Sequence, residues 1–218
     1  MNPNKKETFI ISKAGWNTSL VMLMVFVCAY ALSFLSLFFF GILLATLWLY
    51  RNPERMSLEN DPYALISPCD GRVSAISKVH ASDGKEWLRV VIEKRLYDVG
   101  LIRSPIAMHV MDLKERIGLP FSSSSLLAKS LGEKKVLTCK GNFGEFKMAL
   151  YKGRFARTIF LGDVSMPFKA TQRLGFLSEG SVALFLPLET RISVVLNDDV
   201  KAGESVLGYF AYKASEHE

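Results

Sequence analysis

From Trp16 to Tyr50 the chain carries no charged residue. A helix crosses a bilayer once with ~20 apolar residues, so a run of about 35 is too long for one upright helix and short for two. Lys5, Lys6 and Lys13 precede it, and Arg51 and Arg55 follow it. Positive charge at both ends favours both ends on the cytoplasmic side. The expectation is a transmembrane helical hairpin that turns near residues 32–36, with one strongly tilted helix as the competing geometry. A cleaved signal peptide does not fit, because the run is too long and no small-x-small site follows it. Residues 1–50 are therefore read as an anchor in the cell (inner) membrane, with the rest of the chain on the cytoplasmic side.

This run accounts for much of a mean hydropathy of +0.21 and a hydrophobic content of 50%. The formal net charge is +6. Its Lys and Arg residues are dispersed rather than clustered with aromatics, which argues against nucleic acid and for an anionic lipid surface. Cys28, Cys69 and Cys139 have no metal-ligand spacing, and Cys28 lies in the apolar run. Neither a metal site nor a disulfide framework is expected.

Residues 51–218 read as one β-rich domain. Pro53 ends any helix, and Arg51 and Arg55 suit a lipid headgroup layer. Short β-type runs follow at 64–67, 71–79, 86–93, 99–102, 108–111, 135–139, 145–151, 155–161, 181–186, 191–196 and 205–209. Turn signals such as Ser67-Pro68-Cys69-Asp70-Gly71 and Ser82-Asp83-Gly84 separate them. The fold class expected is mainly β (a β-rich α+β domain) behind a helical hairpin. The polar stretch 120–125 reads as a loop.

Chemistry concentrates at Gly180-Ser181, directly before the apolar run Val182–Leu186. Glycine lets the backbone hold conformations closed to other residues. The serine hydroxyl sits beside its own preceding carbonyl, which suits an internal acyl shift from amide to ester. Elimination and hydrolysis would then leave a carboxyl end at Gly180 and a pyruvoyl group at residue 181. Gly-Ser before a strand is, taken alone, more often a plain turn. Among the three histidines, only His109 lies inside an apolar stretch, where a hydrogen-bonded core residue is the bland reading.

Five ordered segments carry a resemblance. Gln172-Arg173-x-Gly175-x-x-x-x-Gly180-Ser181, followed by a strand ending Leu184-Phe185-Leu186-Pro187, resembles the processing site of phosphatidylserine decarboxylases of the short, membrane-anchored bacterial type. Arg51-Asn52-Pro53-Glu54-Arg55 resembles their anchor-to-domain junction, and Ser67-Pro68-Cys69-Asp70-Gly71 their Ser-Pro-Ala-Asp-Gly. Ser104-Pro105-x-x-x-His109-Val110 resembles their histidine segment, with Ala107 in place of an aspartate and Met111-Asp112 in place of Asn-Arg. Gly153-x-x-Ala156-Arg157 resembles an arginine segment.

The resemblance implies a proenzyme that cuts itself between residues 180 and 181, with Gly180 as the cleavage site. Two chains result, and Ser181 becomes the covalent pyruvoyl cofactor. It implies that Asp70 orients His109, that His109 acts as general base and proton donor, and that Arg157 contacts a membrane phospholipid substrate. The pyruvoyl ketone would serve as electron sink for loss of CO2, giving phosphatidylethanolamine. The partners expected are the lipid and the two chains of one proenzyme, without nucleic acid; a homo-oligomer stays open. Two rival readings also stand: a membrane-tethered domain that has lost processing, and a decarboxylase of another serine-linked lipid.

Overall fold

The charge-free run folds into two helices, α1 (Trp16–Ala31) and α2 (Ser36–Leu49). The computed structural model describes residues 12–31, 36–55, 61–80, 84–118, 132–141, 143–156 and 159–211. The helices have 16 and 14 residues, or about 24 and 21 Å at ~1.5 Å per residue. Among the described residues, no helix is long and apolar enough to cross a membrane. The Ser12 N–H donates to the Tyr50 carbonyl at 3.0 Å, and the Phe26 and Phe40 rings lie 5.5 Å apart. The start of α1 therefore lies beside the end of α2. Leu20, Met24, Tyr30, Leu37 and Phe38 are exposed, so neither helix has the polar face of a helix lying on a soluble core.

The chain divides into two compact units, Met1–Glu54 and Arg55–Glu218. The second unit is mainly β. Its strands are β1 (Ala64–Ile66), β2 (Gly71–His80), β3 (Glu86–Lys94), β4 (Leu101–Arg103), β5 (Met108–Arg116), β6 (Lys134–Gly141) and β7 (Gly144–Lys152). Then come β8 (Phe160–Leu161), β9 (Arg173–Phe176), β10 (Gly180–Leu186), β11 (Arg191–Ile192), β12 (Asp199–Val200) and β13 (Val206–Tyr209). They form a seven-stranded sheet in the order β12-β2-β3-β10-β7-β6-β5 and two three-stranded sheets, β1-β13-β11 and β4-β9-β8. All pairings are antiparallel.

Strand alternation selects the core face of the large sheet. Val182 lies opposite Ile92 and Leu150, and Leu184 opposite Val90 and Met148; all six are sealed from solvent. Ile102, Leu174, Leu177, Leu207 and Phe210 from the smaller sheets and their connections complete the same core.

Several expected elements change extent. The run expected at 155–161 keeps only β8, because the Glu179 carboxylate holds the Phe155 N–H in a loop. The run at 191–196 keeps only β11, since the chain turns at Asn197, which has φ +71°. β5 extends to Arg116 through a bulge between Val110 and Asp112. The 120–125 stretch lies outside the described residues.

Candidate active site

Gly180 opens β10 with φ +146°, a conformation that favours glycine. A Cβ built there would stand 2.1 Å from the Tyr151 carbonyl oxygen and 2.9 Å from the Gly153 nitrogen. No other residue fits without moving backbone. The Glu179 carbonyl accepts the Gly153 N–H at 3.1 Å, and its Oε2 accepts the Phe155 N–H at 2.6 Å. The peptide on the N-terminal side of the junction is thus tied to the 153–155 loop, while β3 and β7 flank β10 on either side.

Ser181 follows with only 5% exposure. Because Val182, Leu184 and Leu186 face the core, Ser181, Ala183 and Phe185 project from the opposite face of the sheet. On that face the register aligns one residue from each of the seven strands: Asp199, Arg72, Glu93, Ser181, Tyr151, Lys134 and Arg116. Every member is polar. Directly paired residues have Cβ atoms about 5 Å apart, so Ser181 stands between Glu93 and Tyr151 in this row. Burial raises the Tyr151 phenol above its ordinary range, against the opposing pull of Arg89 and Arg116.

A cleft of about 360 Å³ opens at this end of the sheet. Arg72, Glu93, Lys94, Arg95, Phe155 and Glu179 are among its lining residues. Lys94 is buried and pairs with Gly180 across the strands. The cleft is thus lined by Glu93 and Lys94, the β3 partners of Ser181 and Gly180, and by Glu179, the residue before the junction.

Asp70 ends the Ser67–Gly71 turn just before β2 and is buried. It is engaged by Arg55, whose Nη1 donates to Oδ1 and whose Nη2 donates to Oδ2 at 3.0 Å. The Ala202 N–H donates to Oδ1 at 2.8 Å. Burial pushes the Asp70 carboxyl up. The Arg55 hydrogen bond, the Ala202 N–H and the charges of Arg55 and Lys94 outweigh it and hold the carboxyl below its usual value. Arg55 therefore turns inward to Asp70, where the sequence suggested a headgroup contact, and the partner of Asp70 is an arginine rather than a histidine.

His109 is exposed, on the edge strand β5. It pairs with Lys140, which pairs with Glu145, whereas Ser181 pairs with Tyr151. Along the strands that offset is six residues, or about 20 Å at ~3.3 Å each, and across the sheet it is three strands, about 14 Å at ~4.8 Å each. The structure does not bring His109 to Ser181. Met108 and Val110 turn inward, so the residue between them turns out. His80 lies at the far end of the β2–β3 pair with its Nδ1 3.2 Å from Glu86. Arg157 and His217 lie outside the described residues.

Glu93 and Tyr151 were not singled out from the sequence. Glu93 reads as the charged end of an apolar strand and Tyr151 as an ordinary strand aromatic. Only pairing between segments remote in sequence places both beside Ser181.

A family model described as phosphatidylserine decarboxylase matches residues 42–208. The chain is 34% identical over 169 residues to the phosphatidylserine decarboxylase proenzyme of Desulfotalea psychrophila, covering 75% of this chain and 78% of that one. It is 31% identical over 175 residues to the proenzyme of the same name from Syntrophus aciditrophicus, covering 77% and 80%. To that of Geobacter sp. strain M21 it is 29% identical over 175 residues, covering 78% and 79%.

Proposed function

Because the chain belongs to the phosphatidylserine decarboxylase family, we propose that it converts phosphatidylserine to phosphatidylethanolamine and CO2 through a pyruvoyl group made from its own Ser181. The observation that carries this reading is the Gly180–Ser181 junction. Within the matched segment, a glycine that no other residue can replace leads into a buried serine whose strand partner, Glu93, lines a charged cleft.

In this reading the proenzyme cuts itself between residues 180 and 181. The large chain keeps the N-terminal anchor, the small chain begins at residue 181, and the two remain paired through the β10 ladders. The pyruvoyl group supplies an electron sink for decarboxylation. The chain's own residues do the remainder. β3 and β7 hold residue 181 in place, and Arg72 and Arg95 give the cleft two cations for the phosphate and carboxylate of the headgroup. Arg157 is a further candidate for substrate contact. Asp70 acts as a positioning residue: its bonds to Arg55 and Ala202 fix the turn that starts β2 and so set Arg72 opposite Glu93. The work site is the cytoplasmic face of the cell membrane, with residues 1–50 as a hairpin anchor and residues 51–218 as the catalytic domain.

One observation favours a second reading. The resemblance calls for a histidine at the serine, and His109 stands across the sheet from it. A tethered domain without processing would have this arrangement. Intact mass spectrometry of the purified protein separates the two. The decarboxylase reading expects two chains divided after Gly180, with product formed from phosphatidylserine vesicles. A single uncut chain of 24.4 kDa without product overturns it.

A further inference from the structure

We propose that the end of the seven-stranded sheet that holds Gly180 docks on an anionic bilayer, so that a lipid enters the cleft from the membrane rather than from water. The proposal deepens the reading above, and the lipid's onward route to Ser181 rests on that reading. Lys94, the last residue of β3, and Lys152, the last of β7, both pair with Gly180. The turn at 95–98 and the loop at 153–156 therefore leave the sheet at the same end. A third turn, 195–198, lies beside the start of β2, where the Asn197 N–H donates to the Val73 carbonyl at 2.8 Å. Arg95, Leu96, Phe155 and Asn197 line the cleft, so all three turns border it. Their tips expose Leu96, Tyr97, Phe155, Val195 and Leu196, with Phe155 at 71%. Ile117, at 94% exposure, follows the end of β5, which the pairings Arg116–Lys134 and Lys134–Tyr151 bring to this end as well. Large apolar side chains gathered in this way mark a surface made for a partner.

Charge identifies the partner. In each turn a carboxylate accepts a backbone N–H: Asp98 from Arg95 at 2.8 Å, Glu179 from Phe155 at 2.6 Å and Asp198 from Val195 at 2.9 Å. These bonds draw the negative groups to the backbone and hold the apolar tips outward, so that little order has to be gained on docking. The cations lie with the tips. The Arg95 guanidinium stands 5.5 Å from the Tyr97 ring centre and that of Arg154 5.8 Å from the Phe155 ring centre. An aromatic ring in the headgroup layer beside a guanidinium that reaches lipid phosphates is the residue chemistry of a membrane interface. A second copy of this chain would instead set Arg95 and Arg154 against like charges. The chain also enters the β-rich unit at this end, directly after the charge-free helices, since Arg55 is tied to Asp70 just before β2. At the opposite end of the same strands, His80, Glu86, Lys140 and Glu145 are exposed.

Spin labels on the full chain in nanodiscs of phosphatidylcholine and phosphatidylglycerol test the docking. Cys28→Ser removes the exposed native thiol, while Cys69 and Cys139 are buried. Labels at Ile117→Cys, Phe155→Cys and Leu196→Cys should collide more with oxygen, which concentrates in lipid, than with a water-soluble nickel chelate. Labels at His80→Cys and Lys140→Cys should show the reverse. In discs of phosphatidylcholine alone, the three rim labels should shift toward the chelate. Collisions dominated by the chelate at two or more rim sites overturn the proposal, as do equal ratios in the two kinds of disc. Spin–spin broadening between rim labels in place of oxygen contact assigns the surface to a second copy and overturns it too. Intact mass and product formation, measured on the same samples, keep the two readings apart. An uncut, inactive chain with lipid-embedded labels overturns the decarboxylase reading and leaves the docking standing. A cut, active enzyme with water-exposed labels overturns the docking alone.

Discussion

Arg55 and Asp70 form a two-pronged ion pair in which both side chains are largely shielded, at 14% and 11% exposure. The pair joins the first residue of the β-rich unit to the turn that launches β2. Removing one partner of a buried pair leaves an uncompensated charge, which costs about 3–5 kcal/mol. Arg55→Met should lower stability by that order, and Asp70→Asn should cost a similar amount by stranding the guanidinium. Chemical denaturation of the purified chain measures both.

The same pair sets an acid limit. The folded Asp70 carboxyl lies below its ordinary value of 3.8, so its contribution to stability is full above the unfolded pKa of about 4. That contribution declines as pH falls through the lower folded value. Arg55 stays charged throughout this range. Unfolding temperature measured from pH 7 to pH 2 should show this loss below about pH 4. The loss should be absent in the double variant Arg55→Met/Asp70→Asn.

Gly180→Ala should be costly for a steric reason. The new Cβ meets the Tyr151 carbonyl oxygen at 2.1 Å, and the positive φ adds about 1–3 kcal/mol of strain. Lower melting temperature and loss of cleavage are expected together. Gly84→Ala is the comparison. Gly84 also has positive φ, +77°, but open space where its Cβ would be, so only the strain component should appear, with cleavage intact.

Ser181→Ala should remain one chain of 24.4 kDa and form no phosphatidylethanolamine, because neither nucleophile nor ketone precursor is present. Ser181→Cys and Ser181→Thr retain a nucleophile and should be cut more slowly. In the wild type, the 181–218 fragment should resist Edman sequencing, and hydroxylamine should abolish activity. An amine at the start of that fragment would end the pyruvoyl reading.

Single cysteines introduced near Lys6 and near Arg55 should both react with an impermeant maleimide from the cytoplasmic side of oriented vesicles. Opposite accessibilities would mean that the charge-free run crosses the membrane an odd number of times.

The sequence by itself determined what depends on neighbours in the chain. An uncharged run from Trp16 to Tyr50 has to become apolar helices, since its backbone polar groups must be satisfied within the segment wherever water is excluded. Alternating apolar residues gave most strands of the β-rich unit, and the Gly180-Ser181 pair marked the junction before β10. β9 and β12 escaped because strands of four and two residues show too little alternation to separate from a loop. The outward turn of His109 is legible in the sequence from its apolar neighbours Met108 and Val110 through period-two alternation. Tertiary structure alone decided which residues share the site. The row from Asp199 to Arg116 joins seven strands whose order in the sheet differs from their order in the chain. A slip of one residue in any pairing would turn that strand's row member to the other face. The Arg55–Asp70 pair likewise depends on long-range packing, because local sequence leaves an arginine there free to face lipid or core. Burial of Asp70 makes the inward partner the favourable choice.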